Sequence, residues 1–250
     1  TAVYIFDENG QKGQFETLLP IEKVKVARQG VVAAVLTEEE VTWINFYDTA
    51  GSEIAKMRTT VKESGYPMDI ALSPDGMKIM VSFLWPDQDG LKTRVAFYNF
   101  DSIGQTEENN QVNLLTYDGV VAPSVYFVDE QRAVILRNNG FSVCRGTEIP
   151  EEKVSVDFED EILTCFHEEG KIGFIFKSDK EDYKYKLKVY NLNGRCTMKK
   201  YLNMDYRKAK MMEGNILLIN EKGFQVYSSR GRKRVDVTYQ KAVEDVTSVP

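Results

Sequence analysis

Histidine is almost missing from this chain. His167 is the only one in 250 residues, and a single imidazole cannot build the multi-histidine zinc and iron sites. It abuts Cys165 and Glu168 and reads as a structural or incidental residue. Cysteine is scarce too. Cys144, Cys165 and Cys196 are an odd number without metal-ligand spacing, and they read as buried, inert thiols. Basic residues are outnumbered, 32 against 38 acidic ones, for a net charge of −6. A nucleic-acid binder should carry a basic stripe. The one basic run, Arg230, Arg232, Lys233 and Arg234, falls on a turn and reads as solvated. No apolar run reaches the roughly 18 residues of a membrane-spanning helix, and no signal peptide opens the chain. No glycine-rich phosphate loop follows a strand and opens a helix. Asp87-Gln88-Asp89-Gly90 resembles a fragment of a calcium loop but lacks the further spaced oxygens and the distal glutamate. No metal and no cofactor is expected.

What is present is a repeat. An aromatic-rich strand followed by a turn ending in glycine occurs six times. It begins as Val3-Tyr4-Ile5-Phe6 with Gly10 and Asn45-Phe46-Tyr47 with Gly51. It returns as Ala96-Phe97-Tyr98 with Gly104, Phe141-Ser142-Val143-Cys144 with Gly146, Lys188-Val189-Tyr190 with Gly194, and Phe224-Gln225-Val226-Tyr227 with Gly231. Two further strand signals precede each anchor after the first. Val24 to Val26 comes before Val31 to Leu36, Met68 to Leu72 before Ile79 to Phe83, and Ser124 to Phe127 before Ala133 to Leu136. Ile162 to Phe166 comes before Ile172 to Phe176, and Ala209 to Met212 before Ile216 to Ile219. Tight polar turns join the pairs, among them Ser73-Pro74-Asp75-Gly76 and Glu168-Glu169-Gly170, with residues that tolerate positive φ. The second run of each pair is the most continuously apolar, as a strand covered on both faces must be. A fourth, more polar strand follows the anchor, as suits an exposed edge.

Short strands repeating every forty or so residues predict a β-propeller of four-stranded antiparallel blades. The expected fold is therefore all-β, one domain over residues 1–250, with five complete blades and a partial one. Ala242 to Val249 is read as one more first strand. Thr1 enters a strand pattern directly, so the chain is expected to be a truncated piece, at the N terminus above all, of a ring of seven or eight blades. The tryptophan-docking repeats of quinone-dependent propellers are missing, since only Trp43 and Trp85 exist.

Several segments resemble a known group of sequences. They are Leu19-Pro20-Ile21-Glu22-Lys23-Val24, Trp43 to Asp48, Ser64-Gly65-Tyr66-Pro67-Met68-Asp69-Ile70-Ala71-Leu72-Ser73-Pro74-Asp75-Gly76, and Val95 to Phe100 with Gly104-Gln105. Together they resemble an uncharacterised domain-of-unknown-function family of propeller-like proteins from Gram-positive, often gut-dwelling, bacteria. The resemblance implies an N-terminal membrane anchor ahead of the propeller and a location outside the cytoplasm. It carries no activity and no catalytic residue.

Topology sharpens the search for a site. Loops joining strands two to three, and four to the next one, share one face of a propeller. That face should collect Glu38, Glu39, Glu40, Asp87, Asp89, Asp118, Glu159, Asp160, Glu161, Asp179, Glu181, Asp182 and Asp205, with Tyr66 and Trp85 as an aromatic patch. The opposite face collects Arg28, Arg132, Arg145, Arg195, Arg230 and Arg232 beside Asp7, Glu8, Asp48 and Asp75. The candidate interaction face is thus acidic and suits a basic protein or cell-envelope partner. The leading functional expectation is a non-catalytic binding or scaffolding module. The alternative is a glycan hydrolase or lyase with its site at the central channel. That would need converging carboxylates from first strands, and only Asp69 lies in one.

Overall fold

The computed structural model describes residues 1–87 and 90–247. The chain divides into two compact units, Thr1–Lys153 and Val154–Pro250.

The first unit opens with a two-stranded antiparallel sheet, Ala2–Asp7 (β1) and Gly10–Glu16 (β2). Four-stranded antiparallel meanders follow. The first is Ile21–Val26 (β3), Val32–Glu38 (β4), Val41–Tyr47 (β5) and Glu53–Thr60 (β6). A single helical turn, Val61–Ser64 (α1), leads into Tyr66–Leu72 (β7), Lys78–Asp87 (β8), Gly90–Asn99 (β9) and Gln111–Asp118 (β10). The third meander is Ser124–Phe127 (β11), Arg132–Arg137 (β12), Gly140–Arg145 (β13) and Glu151–Asp157 (β14), the strand in which the division between units falls.

The second unit holds two more meanders. One is Ile162–Glu168 (β15), Lys171–Lys177 (β16), Tyr185–Asn191 (β17) and Cys196–Leu202 (β18). The other is Lys208–Met212 (β19), Asn215–Asn220 (β20), Gly223–Tyr227 (β21) and Lys233–Thr238 (β22). The described residues therefore form five four-stranded sheets and one two-stranded sheet, in the order that the repeat implies. Every anchor after the first falls on a third strand.

The two-residue period of a strand explains how the sheets stack. In β8, Ile79, Val81 and Phe83 enter a cluster with Val35, Ile44 and Phe46 of the preceding sheet. Met80, between them, enters a different cluster with Val125 and Ile135 of the following sheet. β9 splits in the same way, Ala96 and Tyr98 to one side and Val95 and Phe97 to the other. β4 sends Val32, Ala34 and Leu36 toward Ile5 and Phe15 of the two-stranded sheet. In the second unit Leu187, Val189, Ile216 and Leu218 form one cluster across its two sheets. Central strands are thus apolar on both faces because each face has a neighbour.

The turns are built from the chemistry that the sequence advertises. Gly76 closes the Ser73 to Gly76 turn at φ +74°, and the Ser73 hydroxyl oxygen accepts from the Lys78 N–H at 2.9 Å. The β11–β12 turn lacks glycine. There Asp129 accepts from the N–H groups of Gln131 and Arg132 at 3.0 and 2.8 Å instead.

Two local expectations need correction. Residues 242–247 form no strand; they run beside the last sheet. The Val243 N–H donates to the Glu221 carbonyl, the Arg207 guanidinium donates to the Val243 and Glu244 carbonyls, and Lys208 and Lys210 hold Asp245. Charge clasps this tail where an apolar strand pattern was expected to pair it; residues 248–250 lie outside the described part. The cysteines also differ from the reading as three buried thiols. All three are free, and Cys144 is buried, but Cys165 and Cys196 are exposed. Burial pushes the Cys144 thiol up to about 12, which keeps it protonated and inert.

Candidate functional site

In the first unit the first strands of successive sheets, β3, β7 and β11, lie side by side. Asp69 in β7 joins all three. Its side chain is 6% exposed. One carboxylate oxygen accepts from the Lys23 ammonium of β3 at 2.8 Å, with Lys25 at 3.6 Å. The other accepts from the Val125 N–H of β11 at 3.0 Å. Burial by itself would raise the Asp69 pKa. The hydrogen bonds from Lys23 and Val125 and the charges of both lysines outweigh it, and the carboxyl lies below its ordinary value. Asp69 is therefore a fixed anion that fastens three sheets. General-acid chemistry needs the opposite, a carboxyl with a raised pKa.

Beside this knot lies a cavity of about 330 Å³. β3 contributes Glu22 and Lys23, β4 Val35 and Thr37, the β4–β5 turn Glu39, β5 Thr42, and α1 Val61; β7 closes it from Tyr66 to Ile70. Glu39 and Tyr66 were both expected on one face, and the structure brings them to this cavity together. Glu38 and Glu40 flank Glu39 and are exposed. Glu39 itself sits at φ +53°, left-handed backbone that a non-glycine residue enters at a penalty of about 1 kcal/mol. Among the described residues, no ion pair engages Glu22, Glu38, Glu39 or Glu40.

The one-turn helix α1, which the sequence did not announce, sets the rim. Thr60 caps it by accepting from the Glu63 N–H at 3.3 Å, and the Thr60 hydroxyl donates to the Glu63 carboxylate at 3.0 Å. Val61 N–H donates to the Glu40 carbonyl at 2.9 Å, tying helix to acidic turn. Gly65 then turns the chain into β7 at φ +93°, and a Cβ there would lie 2.5 Å from the Leu84 carbonyl oxygen. Only glycine fits, and the turn leaves Tyr66 51% exposed.

The remaining candidates divide. Trp85 is no open platform, because the Arg94 guanidinium stacks 3.5 Å from its ring centroid and also donates to the Glu63 carbonyl. Asp87 ends β8, and Asp89 lies outside the described residues. In the second unit, Asp179 and Asp160 hold Lys186 at 3.2 and 2.8 Å. Hydrogen bonds, first from Tyr201 and then from Lys186, pull the Asp179 pKa down to about 2. Asp205 pairs with Lys184. Asp182 is exposed, without an ion pair among the described residues. In the second unit three loop acids, Asp160, Asp179 and Asp205, are matched by lysines, whereas Glu22 and Glu39 at the first unit's cavity are not. Sequence reasoning missed Glu22, Lys23, Thr42 and Met68 as cavity residues. A first strand beginning Ile21-Glu22-Lys23, with an acid that the openings of β7, β11, β15 and β19 lack, was the available signal. Among the described residues, no group of three or more histidine, cysteine, aspartate or glutamate side chains could hold a metal ion. No helix is long and apolar enough to cross a membrane.

Solved structures of β-propellers share this architecture. BamB from Moraxella catarrhalis is similar with a TM-score of 0.56 at 12% identity, over 95% of this chain and 71% of that one. The β-propeller domain of the trilobed protease from Pyrococcus furiosus, described as having an open velcro topology, gives 0.53 at 13%, over 93% and 75%. Acylaminoacyl peptidase from Pyrococcus horikoshii gives 0.54 at 11%, covering 94% of this chain but only 41% of the peptidase. At such identities these likenesses establish the propeller fold alone. No curated protein matches the sequence. The model of DUF5711, a family of unknown function, matches residues 1–250, and the chain belongs to that family.

Proposed function

We propose that this chain is a non-catalytic binding module that holds a basic protein or cell-envelope partner on the loop face of its first unit. The observation that carries the reading is the cavity beside Asp69, partly apolar and rimmed by carboxylates without ion-pair partners. Unmatched acids attract a cation more strongly than acids already paired, and they also steer its approach. Glycan cleavage at the channel is the weaker reading. First strands carry Glu22, Asp69 and Glu168, more than the sequence reading counted, but Asp69 is held ionised by Lys23 and the Val125 N–H and Glu168 is occupied by the Glu213 and Gly214 N–H groups. A position at the cell envelope, with a membrane anchor outside these residues, is part of the proposal; its support is the sequence resemblance.

The test is site-specific photo-crosslinking in cells, with a probe at Tyr66 and a control probe at Arg28 on the opposite face. A discrete adduct from Tyr66 that is absent from Arg28, and that weakens in the Glu38→Gln, Glu39→Gln, Glu40→Gln triple variant, is expected. Equal adducts from both faces, or none from Tyr66, would end this reading.

A further inference from the structure

The cavity in the first unit has a more specific shape than a general acidic face. Its walls are Val35, Val61, Ile70 and Met68, apolar groups suited to a chain of methylenes. Its volume of about 330 Å³ lies at the lower end of small-ligand sites, about 300 Å³ and upward. Two threonines, Thr37 and Thr42, face each other across β4 and β5 in the strand register, and both line it. Thr42 is 2% exposed, and its hydroxyl makes no hydrogen bond among the described residues. The hydroxyl is not among the fully buried, unpartnered polar atoms, so the little exposure Thr42 has is open to the cavity that it lines, where a bound donor can reach it. Charge points the same way. The lining holds three carboxylates, Glu22, Glu39 and Asp69, against one ammonium, Lys23. Lys23 is already engaged by Asp69 at 2.8 Å and by the Met68 carbonyl at 2.9 Å. Glu22 and Glu39 are left without a counter-charge.

We infer that the cavity takes one long basic side chain, a lysine or an arginine, from an extended segment of the partner. The aliphatic stem packs against Val35, Val61 and Met68. The cationic tip donates to the Thr42 hydroxyl and to the carboxylates of Glu22 and Glu39. An ammonium carries three donors and a guanidinium five, and neither has an acceptor, which matches a site that offers only oxygens at its polar end. The inference rests on the binding-module reading and gives that module's partner a chemistry.

Met68 supplies a local reporter. In protein labelled at its eight methionine methyls, the Met68 resonance is assigned by Met68→Leu and followed by NMR. The probes are pentylammonium, butylguanidinium and, as a neutral match, 1-pentanol. Saturation by at least one cation at a tenfold lower concentration than pentanol is expected. In the Glu22→Gln, Glu39→Gln variant the cation midpoint should rise at least fivefold while that of pentanol stays put. The stronger cation names the preferred residue, and either result supports the site. Equal midpoints for pentanol and both cations, or no Met68 response to any probe, would overturn it. If Tyr66 still crosslinks to one partner while Met68 ignores the cations, the pocket inference fails and the module reading stands.

Discussion

Both units bury charge: Asp69, Lys78 and Arg137 in the first and Lys186 in the second, and the ion pairs at Asp69 and Lys186 are built with opposite signs. The first unit buries an anion, Asp69, 6% exposed, with Lys23 and Lys25 reaching it from a neighbouring sheet while staying 36% and 41% exposed. The second buries a cation, Lys186, 4% exposed, between Asp160 and Asp179, which remain 44% and 50% exposed. Asp69 joins sheet to sheet. Lys186, on β17, draws two loops onto its own sheet. The consequence for binding is direct. Asp160, Asp179 and Asp205 in the second unit are taken up by Lys186 and Lys184, while Glu22 and Glu39 at the first unit's cavity keep their charge for a partner. Acidic loops of similar composition therefore differ in what they can attract.

The comparison breaks most sharply if the exposed partners are removed. Lys23→Met with Lys25→Met leaves Asp69 buried without a cation, and breaking a buried pair from one side costs about 3–5 kcal/mol. Urea unfolding at neutral pH should show that loss. A variant as stable as the parent would mean that the Val125 N–H alone satisfies the carboxylate. Next comes the second unit. Asp160→Asn with Asp179→Asn strands the Lys186 ammonium and should destabilise clearly. Lys186→Met frees two surface acids into water and should stay within about 1 kcal/mol of the parent. The order of those two midpoints is the informative quantity, and its reversal would mean that Lys186 acts mainly through packing.

A smaller effect separates the units by pH. The folded Asp69 pKa lies below its unfolded 3.8. Its contribution is complete above that value and is lost as the pH falls through the folded one. For Lys186, burial lowers the pKa but Asp160 and Asp179 outweigh it, so the folded value lies above 10.5. Its contribution is complete below 10.5 and is lost as the pH rises through the folded value. Asp69→Asn should flatten the acid limb of a stability–pH curve alone, and Lys186→Met the alkaline limb alone. The smallest expected effect concerns a neutral link. In the second unit the hydroxyls of Thr164 on β15 and Tyr206, just ahead of β19, meet at 2.8 Å. Thr164→Val should cost about 1 kcal/mol and leave the acid limb of the pH curve unchanged.

The blades were legible because each carries a local record. The anchor at the end of the third strand, the apolar second strand and the glycine or aspartate turn all lie within one period. Glu39 and Tyr66 were legible through topology, since strand order alone assigns a loop to a face. Asp69 could be seen as an acid in a first strand, but its partners could not. Lys23 lies 46 residues away and Val125 56 residues away, beyond any periodic pattern. Lys186 was hidden for another reason. In the lysine-rich run from Lys180 to Lys188 one ammonium goes inward and the others do not, and only the pairing of Lys186 with Phe176 across β16 and β17 decides which. Trp85 was misjudged as open because its cover, Arg94, comes from the adjacent strand.

The three-way knot at Asp69 also has a kinetic meaning. Neither of its distant partners can arrive until intervening meanders have formed and aligned, so its bonds belong to a late step of chain assembly. Loop closure over such separations is entropically unfavourable and must be offset by hairpins already in place. Loosening the knot should therefore hasten unfolding while leaving the refolding rate nearly unchanged, as a latch fastened after the walls are up.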